Sequence, residues 1–190
     1  MSGKDIGSDY KDKILCFSPT EEETSYFSKS LIYICEHSDE GTLGLIINRP
    51  LQISMTDFFK SMNIKILGSL SQDFLLMGGP VNPGAVFILH SADTEWESTM
   101  PINKDVSLST SIDILRAIAN GDGPADYLIT LGYTGWVQEQ LEQEILENAW
   151  LVAPSNYKVL FKMKPKDKIR GVSEVLGFDI QMVSPKPGKA

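Results

Sequence analysis

The stretch LIYICEHSDEGTLGLIINR, residues 31–49, decides the fold, because it predicts two β-strands joined by a tight turn. LIYICEH (31–37) and TLGLIINR (42–49) are rich in apolar and β-branched residues, and SDEG between them is typical of a hairpin connection. Six further strands are predicted at KILCF (13–17), FLLM (74–77), AVFILH (85–90), VSLST (106–110), YLITLGY (127–133) and WLVAP (150–154). A last strand is predicted at YKVLF (157–161).

Helices are predicted between the strands, at residues 54–62, 110–120, 136–148 and 165–176. Ser54 and Asp57 form a capping pattern at the first, and Thr110 with Asp113 a similar one at the second. The third helix carries an apolar stripe of Val137, Leu141 and Ile145, with acidic residues on its other faces. Hairpins followed by crossovers predict an α/β or α+β fold: one compact domain, residues 13–180, with a mixed β-sheet flanked by helices. Residues 1–12 and 181–190 are expected to be flexible termini, and residues 19–30 a loop with one helical turn.

The composition excludes some classes of function. Of 190 residues, 17 are Lys or Arg and 25 are Asp or Glu, so the formal charge is 17 − 25 = −8. A chain this acidic is poorly suited to sequence-independent binding of DNA, because such binding requires clustered Lys and Arg residues. The first residues are polar and lack the apolar core of a secretory signal, and no apolar run is long enough for a membrane span. Cys16 and Cys35 lie in apolar runs, so we expect reduced core thiols and a cytoplasmic protein.

Two glycine-containing segments are candidate anion sites. GGPVNPG (78–84) lacks the Gly-Lys-Ser/Thr ending of a P-loop and is interpreted as a tight connection between strands. GYTGW (132–136) is predicted to lie between a strand and a helix, where backbone N–H groups can bind an anion. The acidic residues that follow it favour the alternative, a compact turn with Tyr133 and Trp136 packed at the end of the sheet.

The remaining candidates are polar side chains near predicted strand ends. Cys35 and His37 are two residues apart on a strand and are predicted to face one side, where His90 could join them in a nucleophile pair or partial metal site. A fourth ligand is not evident, so a packed thiol and an edge histidine are favoured, and no metal or cofactor is expected. Arg49 could bind a carboxylate or phosphate, but a pair with an internal acid is favoured.

Several phrases in one collinear order resemble the AlgH/YqgE family of bacterial proteins. They are SLIYICEHSDEGTLGLIINRPL, LLMGGPV, GAVFILH, STSIDIL and LGYTGWVQEQLEQEILENAWLVAP, and the resemblance covers residues 13–180. It departs at FSPTEEETSYF (17–27), where the family has a proline-bearing phrase with an acidic residue. The resemblance implies a compact mixed-sheet domain in the bacterial cytosol and no known activity. It also implies, by gene neighbourhood, a partner with an RNase H fold that resembles Holliday-junction resolvases.

The leading hypothesis is a cytosolic binding or regulatory protein that acts through protein–protein or small-ligand contacts, with no catalytic activity. The candidate binding surface comprises His37, Asn48, Arg49, Gly79, His90, Tyr133, Trp136 and Gln140. One alternative is an enzyme for a small anionic ligand, with Arg49 as anchor and His37 or His90 as acid/base. The other is a transcriptional regulator, a label the family has carried, which the charge and the lack of a helix-turn-helix pattern disfavour. We expect an unidentified protein partner, no membrane and no nucleic acid.

Overall fold

The computed structural model describes residues 9–18 and 25–183. Their strands are β1 (Lys13–Phe17), β2 (Leu31–Ser38), β3 (Gly41–Ile46), β4 (Pro50–Ser54), β5 (Phe74–Met77), β6 (Val81–Ser91), β7 (Met100–Pro101), β8 (Val106–Ser109), β9 (Tyr127–Trp136) and β10 (Trp150–Pro154). Their α-helices are α1 (Met55–Ser61), α2 (Ile112–Asn120), α3 (Gln140–Leu146) and α4 (Lys168–Leu176). A π-helical turn spans Lys158–Lys162, and 3₁₀ turns span Pro165–Asp167 and Ile180–Met182.

The strands form a curled sheet in the order β10-β1-β2-β3-β9-β6-β8-β7, and β4 pairs with β5 beside this path. Neighbouring strands are antiparallel except β5 and β9, which are parallel. β9 is the central strand, because it pairs with β3, β5 and β6. The predicted class, an α+β domain with a mixed sheet flanked by helices, is confirmed.

Three apolar clusters hold the sheet and its helices together. The largest lies on one face, where residues of most strands meet the π-helical turn and α4. On the other face, α1 and α2 pack against β5, β6 and β9. The third cluster lies on that face too, where Leu141 of α3 contacts Trp136, Trp150 and residues of β1, β2 and β3. The third cluster positions the candidate site.

Local signals for turns and caps were accurate. The hairpin of β2 and β3 is present, and Ser54 caps α1 by accepting a 3.0 Å hydrogen bond from the backbone N–H of Asp57. α2 and α4 end at Gly121 (φ +88°) and Gly177 (φ +78°), where the left-handed conformation favours glycine. α2 is preceded by Ser111, not Thr110, as its capping residue.

Two predicted elements were wrong. YKVLF is not a strand: it lies mostly in the π-helical turn, and the side chain of Asn156 accepts a hydrogen bond from the N–H of Val159. A short apolar run has no periodicity long enough to separate strand from helix. GYTGW is not a turn between strand and helix, because β9 continues through it to Trp136. The third helix consequently begins only at Gln140, after Glu139 adopts a left-handed φ of +62°.

One strand begins earlier than predicted, and one short strand was not predicted. β6 begins at Val81, inside the predicted GGPVNPG connection, and Pro50–Ser54 forms a short strand that the sequence pattern did not reveal. Asp12, in the predicted flexible start, accepts a 2.7 Å hydrogen bond from the Tyr33 hydroxyl. The predicted flexible ends at 1–8 and 184–190, and residues 19–24 of the predicted loop, lie outside the described residues.

Candidate functional site

An aromatic cleft lies between α3 and the end of β9, with a volume of about 310 Å³. Trp136 of β9 and Trp150 of β10 pack edge to face, with ring centroids 5.9 Å apart. Phe17 and Phe27 contact Trp150 at centroid distances of 5.2 and 5.5 Å. Trp136 and Trp150 are buried and form the floor of the cleft, and the half-buried Phe17 and Phe27 supply aromatic surface that a partner can reach.

Glu144 of α3 fixes both tryptophans. Its Oε2 accepts hydrogen bonds from the indole Nε1 of Trp136 at 2.8 Å and of Trp150 at 2.7 Å. Its Oε1 accepts a bond from Gln140 Nε2 at 2.9 Å, and Gln140 Oε1 accepts one from the N–H of Val137 at 3.1 Å. The carboxylate therefore orients the cleft, and the predicted site residue Gln140 supports that carboxylate and the start of α3.

The surface beside the aromatic cleft is apolar and acidic. Val137 and Leu146, at the two ends of the α3 region, are 72% and 77% exposed. Residues 117–157 contain six acidic residues and no Lys or Arg. Four of the six, Glu139, Glu142, Glu144 and Glu147, lie on or next to α3. We call α3 with Val137, Glu139 and Glu147 the α3 surface.

His37 lies at the border of the α3 surface. Its Nδ1 is 2.7 Å from Thr42 Oγ1, and its Nε2 is 3.3 Å from Glu142 Oε1. Thr42 in turn pairs with Trp136 across β3 and β9. The structure thus brings three predicted site residues, His37, Trp136 and Gln140, to one end of the sheet.

Cys35 and His37 do not face the same side, contrary to the prediction. The register of β2 against β3 shifts between Ile34 and Glu36, and this β-bulge interrupts the alternation of side chains. Cys35 points into the largest cluster, where burial raises the pKa of its thiol, whereas His37 faces Thr42 and α3. The two side chains therefore do not form the considered nucleophile pair.

Asn48 and Arg49 hold the segment that precedes β2. Asn48 accepts a 2.9 Å bond from the N–H of Leu31 and donates a 2.8 Å bond to the carbonyl of Lys29. Arg49 Nη2 donates a 2.8 Å bond to the carbonyl of Ser28, and its guanidinium lies 5.5 Å from the Tyr26 ring centroid. Within the described residues, no carboxylate forms the internal ion pair that was favoured for Arg49.

Gly79 precedes β6 and lies against the backbone of Tyr133 in β9. Gly79 has a φ of +157°, and an added Cβ would lie 2.2 Å from the backbone oxygen of Tyr133. The Tyr133 ring packs edge-on against Phe87 at 5.6 Å. The adjacent Gly78 donates its N–H to Leu131 at 2.8 Å, so this amide is occupied by the sheet and is not free for a phosphate.

His90 is apart from the other predicted residues. It has no exposed surface, and its ring nitrogens lie 2.9 Å from the Ser91 carbonyl and from Ser109 Oγ. Burial lowers the pKa of His90 below its usual value. His90 pairs with Tyr127, nine residues before Trp136, which places it about 30 Å along the strand from the aromatic cleft.

The residues of the enzyme hypothesis are therefore not assembled into one site. His37 lies next to the turn of the β2–β3 hairpin. Arg49 lies past the opposite end of that hairpin, about 20 Å from His37 when the usual rise per residue of a strand is applied. In the described parts of the chain, no three His, Cys, Asp or Glu side chains form a group that could hold a metal ion. The same residues include no helix that is long and apolar enough to cross a membrane.

Comparisons with known proteins identify relatives of this chain. The model of a family described as AlgH-like matches residues 14–181. A UPF0301 protein from Nitrosospira multiformis is 42% identical over 87% of this chain and 89% of its own. One from Thioalkalivibrio sulfidiphilus is 37% identical over 96% of this chain and 98% of its own.

Two solved structures share the fold. The solution structure of the AlgH protein from Pseudomonas aeruginosa superposes with a TM-score of 0.77 at 31% identity, covering 99% of this chain and 100% of that one. A crystal structure of a protein from Corynebacterium diphtheriae gives a TM-score of 0.64 at 20% identity, covering 82% of this chain and 81% of that one.

Proposed function

The chain belongs to the AlgH-like family, and from this premise we propose that it is a binding protein that docks a polypeptide partner on the α3 surface and the aromatic cleft. The observation that carries the proposal is the exposure of Val137 and Leu146 on an acidic surface beside two oriented tryptophans. Apolar residues that stay exposed next to a preformed aromatic cleft are typical of an interaction site.

The acidic charge of the α3 surface indicates what kind of partner segment it would bind. Glu139 and Glu147 are exposed and form no ion pair within the described residues. A partner segment with Lys or Arg residues would be attracted to this surface, and an apolar side chain between them would fill the cleft. We therefore propose a basic segment with an apolar anchor.

The cellular setting of this binding is also a proposal. Cys16 and Cys35 are both buried free thiols, which suits the reducing cytoplasm. The first partner to test is the RNase H-fold protein that resembles Holliday-junction resolvases, because the family resemblance implies it by association.

The test measures the binding of each variant in two ways. One is a binding assay with this purified partner. The other is capture of a protein from bacterial lysate, after which the captured protein is purified. We expect Val137→Ser/Leu146→Ser to weaken binding at least tenfold, because burying each of these apolar side chains contributes on the order of 1.5–3 kcal/mol. We expect Glu139→Gln/Glu147→Gln to weaken binding mainly at low salt, where charge attraction is least screened. Both variants should keep the melting temperature, since these side chains are exposed.

The matched control is Met182→Ser, which removes an apolar side chain that is 80% exposed and lies after α4. It should bind like the original chain. The proposal fails if no protein from either source binds in a way that depends on the α3 surface, or if the control weakens binding to the same extent.

A further inference from the structure

A second cleft, of about 530 Å³, lies between the loop before β5 and residues 161–168. It includes Asp126 and Tyr127, so it is at the start of β9, whereas the aromatic cleft is at its end. We call it the lysine cleft. Its volume is within the range of about 300–1,000 Å³ that is typical of small-molecule sites.

The walls of the lysine cleft are largely apolar. Phe74, which is 48% exposed, faces the cleft from the β5 side together with Leu76. Phe161, in the π-helical turn, and Met163, directly after it, line the other side. An apolar body of a ligand would find contact on both sides.

The charge of the lysine cleft is opposite to that of the whole chain. Its lining contains four lysines and two aspartates, a balance of 4 − 2 = +2, in a chain of net charge −8. One aspartate, Asp126, is neutralised, because it accepts hydrogen bonds from Lys162 Nζ at 2.5 Å and from the Tyr157 hydroxyl at 2.7 Å. Lys164 and Lys166 form no ion pair with any described residue. Asp73, the other aspartate, also forms no ion pair with a described residue, so the two unpaired lysines outweigh it and the net unpaired charge is positive.

Lys168 closes the floor of the lysine cleft. It has no exposed surface, and its Nζ donates one hydrogen bond, to the carbonyl of Leu160 in the π-helical turn. An ammonium group has three donors, so two have no acceptor among the described residues. Burial lowers the pKa of Lys168 to about 7, because no carboxylate compensates for the lost hydration. π-Helical turns occur frequently at functional sites, and here one supplies the sole acceptor.

We propose that the lysine cleft binds a small organic anion with an apolar body. Its carboxylate or phosphate group lies between Lys164 and Lys166, above the buried Lys168, and its body lies between Phe74 and Phe161. The two rim lysines pair with the anion directly, whereas Lys168, which no water-sized group reaches, attracts it through the low-dielectric floor without touching it. This site is separate from the α3 surface and does not depend on the proposed polypeptide binding.

The experiment is a titration followed by the amide shifts of a two-dimensional NMR spectrum, which reports both affinity and location. The probes are octanoate, phenyl phosphate, inorganic phosphate and the neutral octanol. We expect saturable binding of octanoate, phenyl phosphate or both, with shifts centred on residues 72–76 and 161–168. Inorganic phosphate, which lacks the body, and octanol, which lacks the charge, should bind at least tenfold more weakly. The comparison of the two anions distinguishes a carboxylate ligand from a phosphate ligand.

Two double variants test the role of the rim. Lys164→Gln/Lys166→Gln should weaken binding of the anion at least fivefold. The matched control, Lys60→Gln/Lys104→Gln, removes the same charge from exposed positions outside the cleft and should leave binding unchanged. Phe74→Ser should weaken octanoate more than inorganic phosphate, because it removes only apolar contact.

The proposal is overturned if neither organic anion binds saturably, or if octanol binds as tightly as octanoate. It is also overturned if the control weakens binding as much as the rim variant, or if the shifts centre on Trp136.

Discussion

Replacing Lys168 with methionine is expected to stabilise the protein and to remove a pH dependence of its stability. Lys168 is fully buried, and its pKa falls from 10.5 to about 7 in the folded state. Between these values the unfolded chain keeps the proton and the folded state has lost it, so the free energy of unfolding rises with pH. One pKa unit corresponds to about 1.4 kcal/mol, and half of the folded molecules still hold the proton at pH 7, so the free energy of unfolding rises by about 1.5 kcal/mol between pH 7 and pH 8.5.

The interval ends at pH 8.5 for a physical reason. Burial raises the pKa values of Cys16 and Cys35, and burial and the bond to Asp12 raise that of Tyr33. Above about pH 9 the unfolded chain loses these protons while the folded state keeps them, so the free energy of unfolding falls. Below about pH 9, Lys168 makes the largest contribution to the pH dependence of the free energy of unfolding.

Lys168→Met keeps the length of the side chain and removes its charge. At pH 7 we expect a net gain of about 2 kcal/mol, because the loss of the charge's burial penalty exceeds the cost of leaving the Leu160 carbonyl without its partner. Urea unfolding followed by tryptophan fluorescence at pH 7 and pH 8.5, at constant ionic strength, measures both effects. Lys166→Met, at an exposed position of the same segment, should keep the original slope. A Lys168→Met protein that retains the slope, or that is less stable at pH 7, would refute this reasoning.

Three further outcomes are expected. Glu144→Ala should lower the free energy of unfolding by about 2–3 kcal/mol and alter tryptophan fluorescence, because two indole N–H groups lose their acceptor. The control Glu147→Ala should lower it by under about 0.5 kcal/mol, and equal losses in chemical denaturation would contradict the reasoning. Gly132→Ala should cost at least about 2 kcal/mol in the same assay, because Gly132 has a φ of +71° and an added Cβ would lie 2.5 Å from the Gly79 oxygen. His90→Gln should reduce the loss of stability on acidification from pH 6.5, since burial holds the folded pKa of His90 below the unfolded value and only the unfolded chain gains a proton there; an unchanged acid profile would argue against it.

Features set by neighbouring residues were predictable from the sequence. The hairpin turn, the Ser54 cap and the glycine ends of α2 and α4 each depend on a few residues in one short segment. Features set by tertiary pairing were not. GYTGW resembles a turn because of its glycines, but Gly135 lies in a strand without a positive φ, paired with Leu43 across β3. Within GYTGW, the glycine with a positive φ is Gly132.

The candidate site was only partly predictable for the same reason. Trp136 and Gln140 were identified from the sequence, but the indole contacts of Glu144 join residues of two strands and a helix. No rule based on sequence spacing predicts that Glu144 accepts hydrogen bonds from both tryptophans. The lysine cleft was missed because Lys168 reads as an ordinary polar residue at a helix start, and its burial follows only from how α4 packs against the π-helical turn. A closely spaced set of lysines, KMKPKDK (162–168), was the signal that could have drawn attention to it.

The central position of β9 has a consequence for synthesis on the ribosome. β3 and β6 each have one edge that only β9 covers, and β9 follows β6 by more than 30 residues along the chain. At about 5–20 residues per second, these two edges stay open for seconds after they emerge. An open strand edge is a template for pairing with another chain. The nascent protein is therefore most exposed to misassembly in the interval before residue 136 leaves the ribosome.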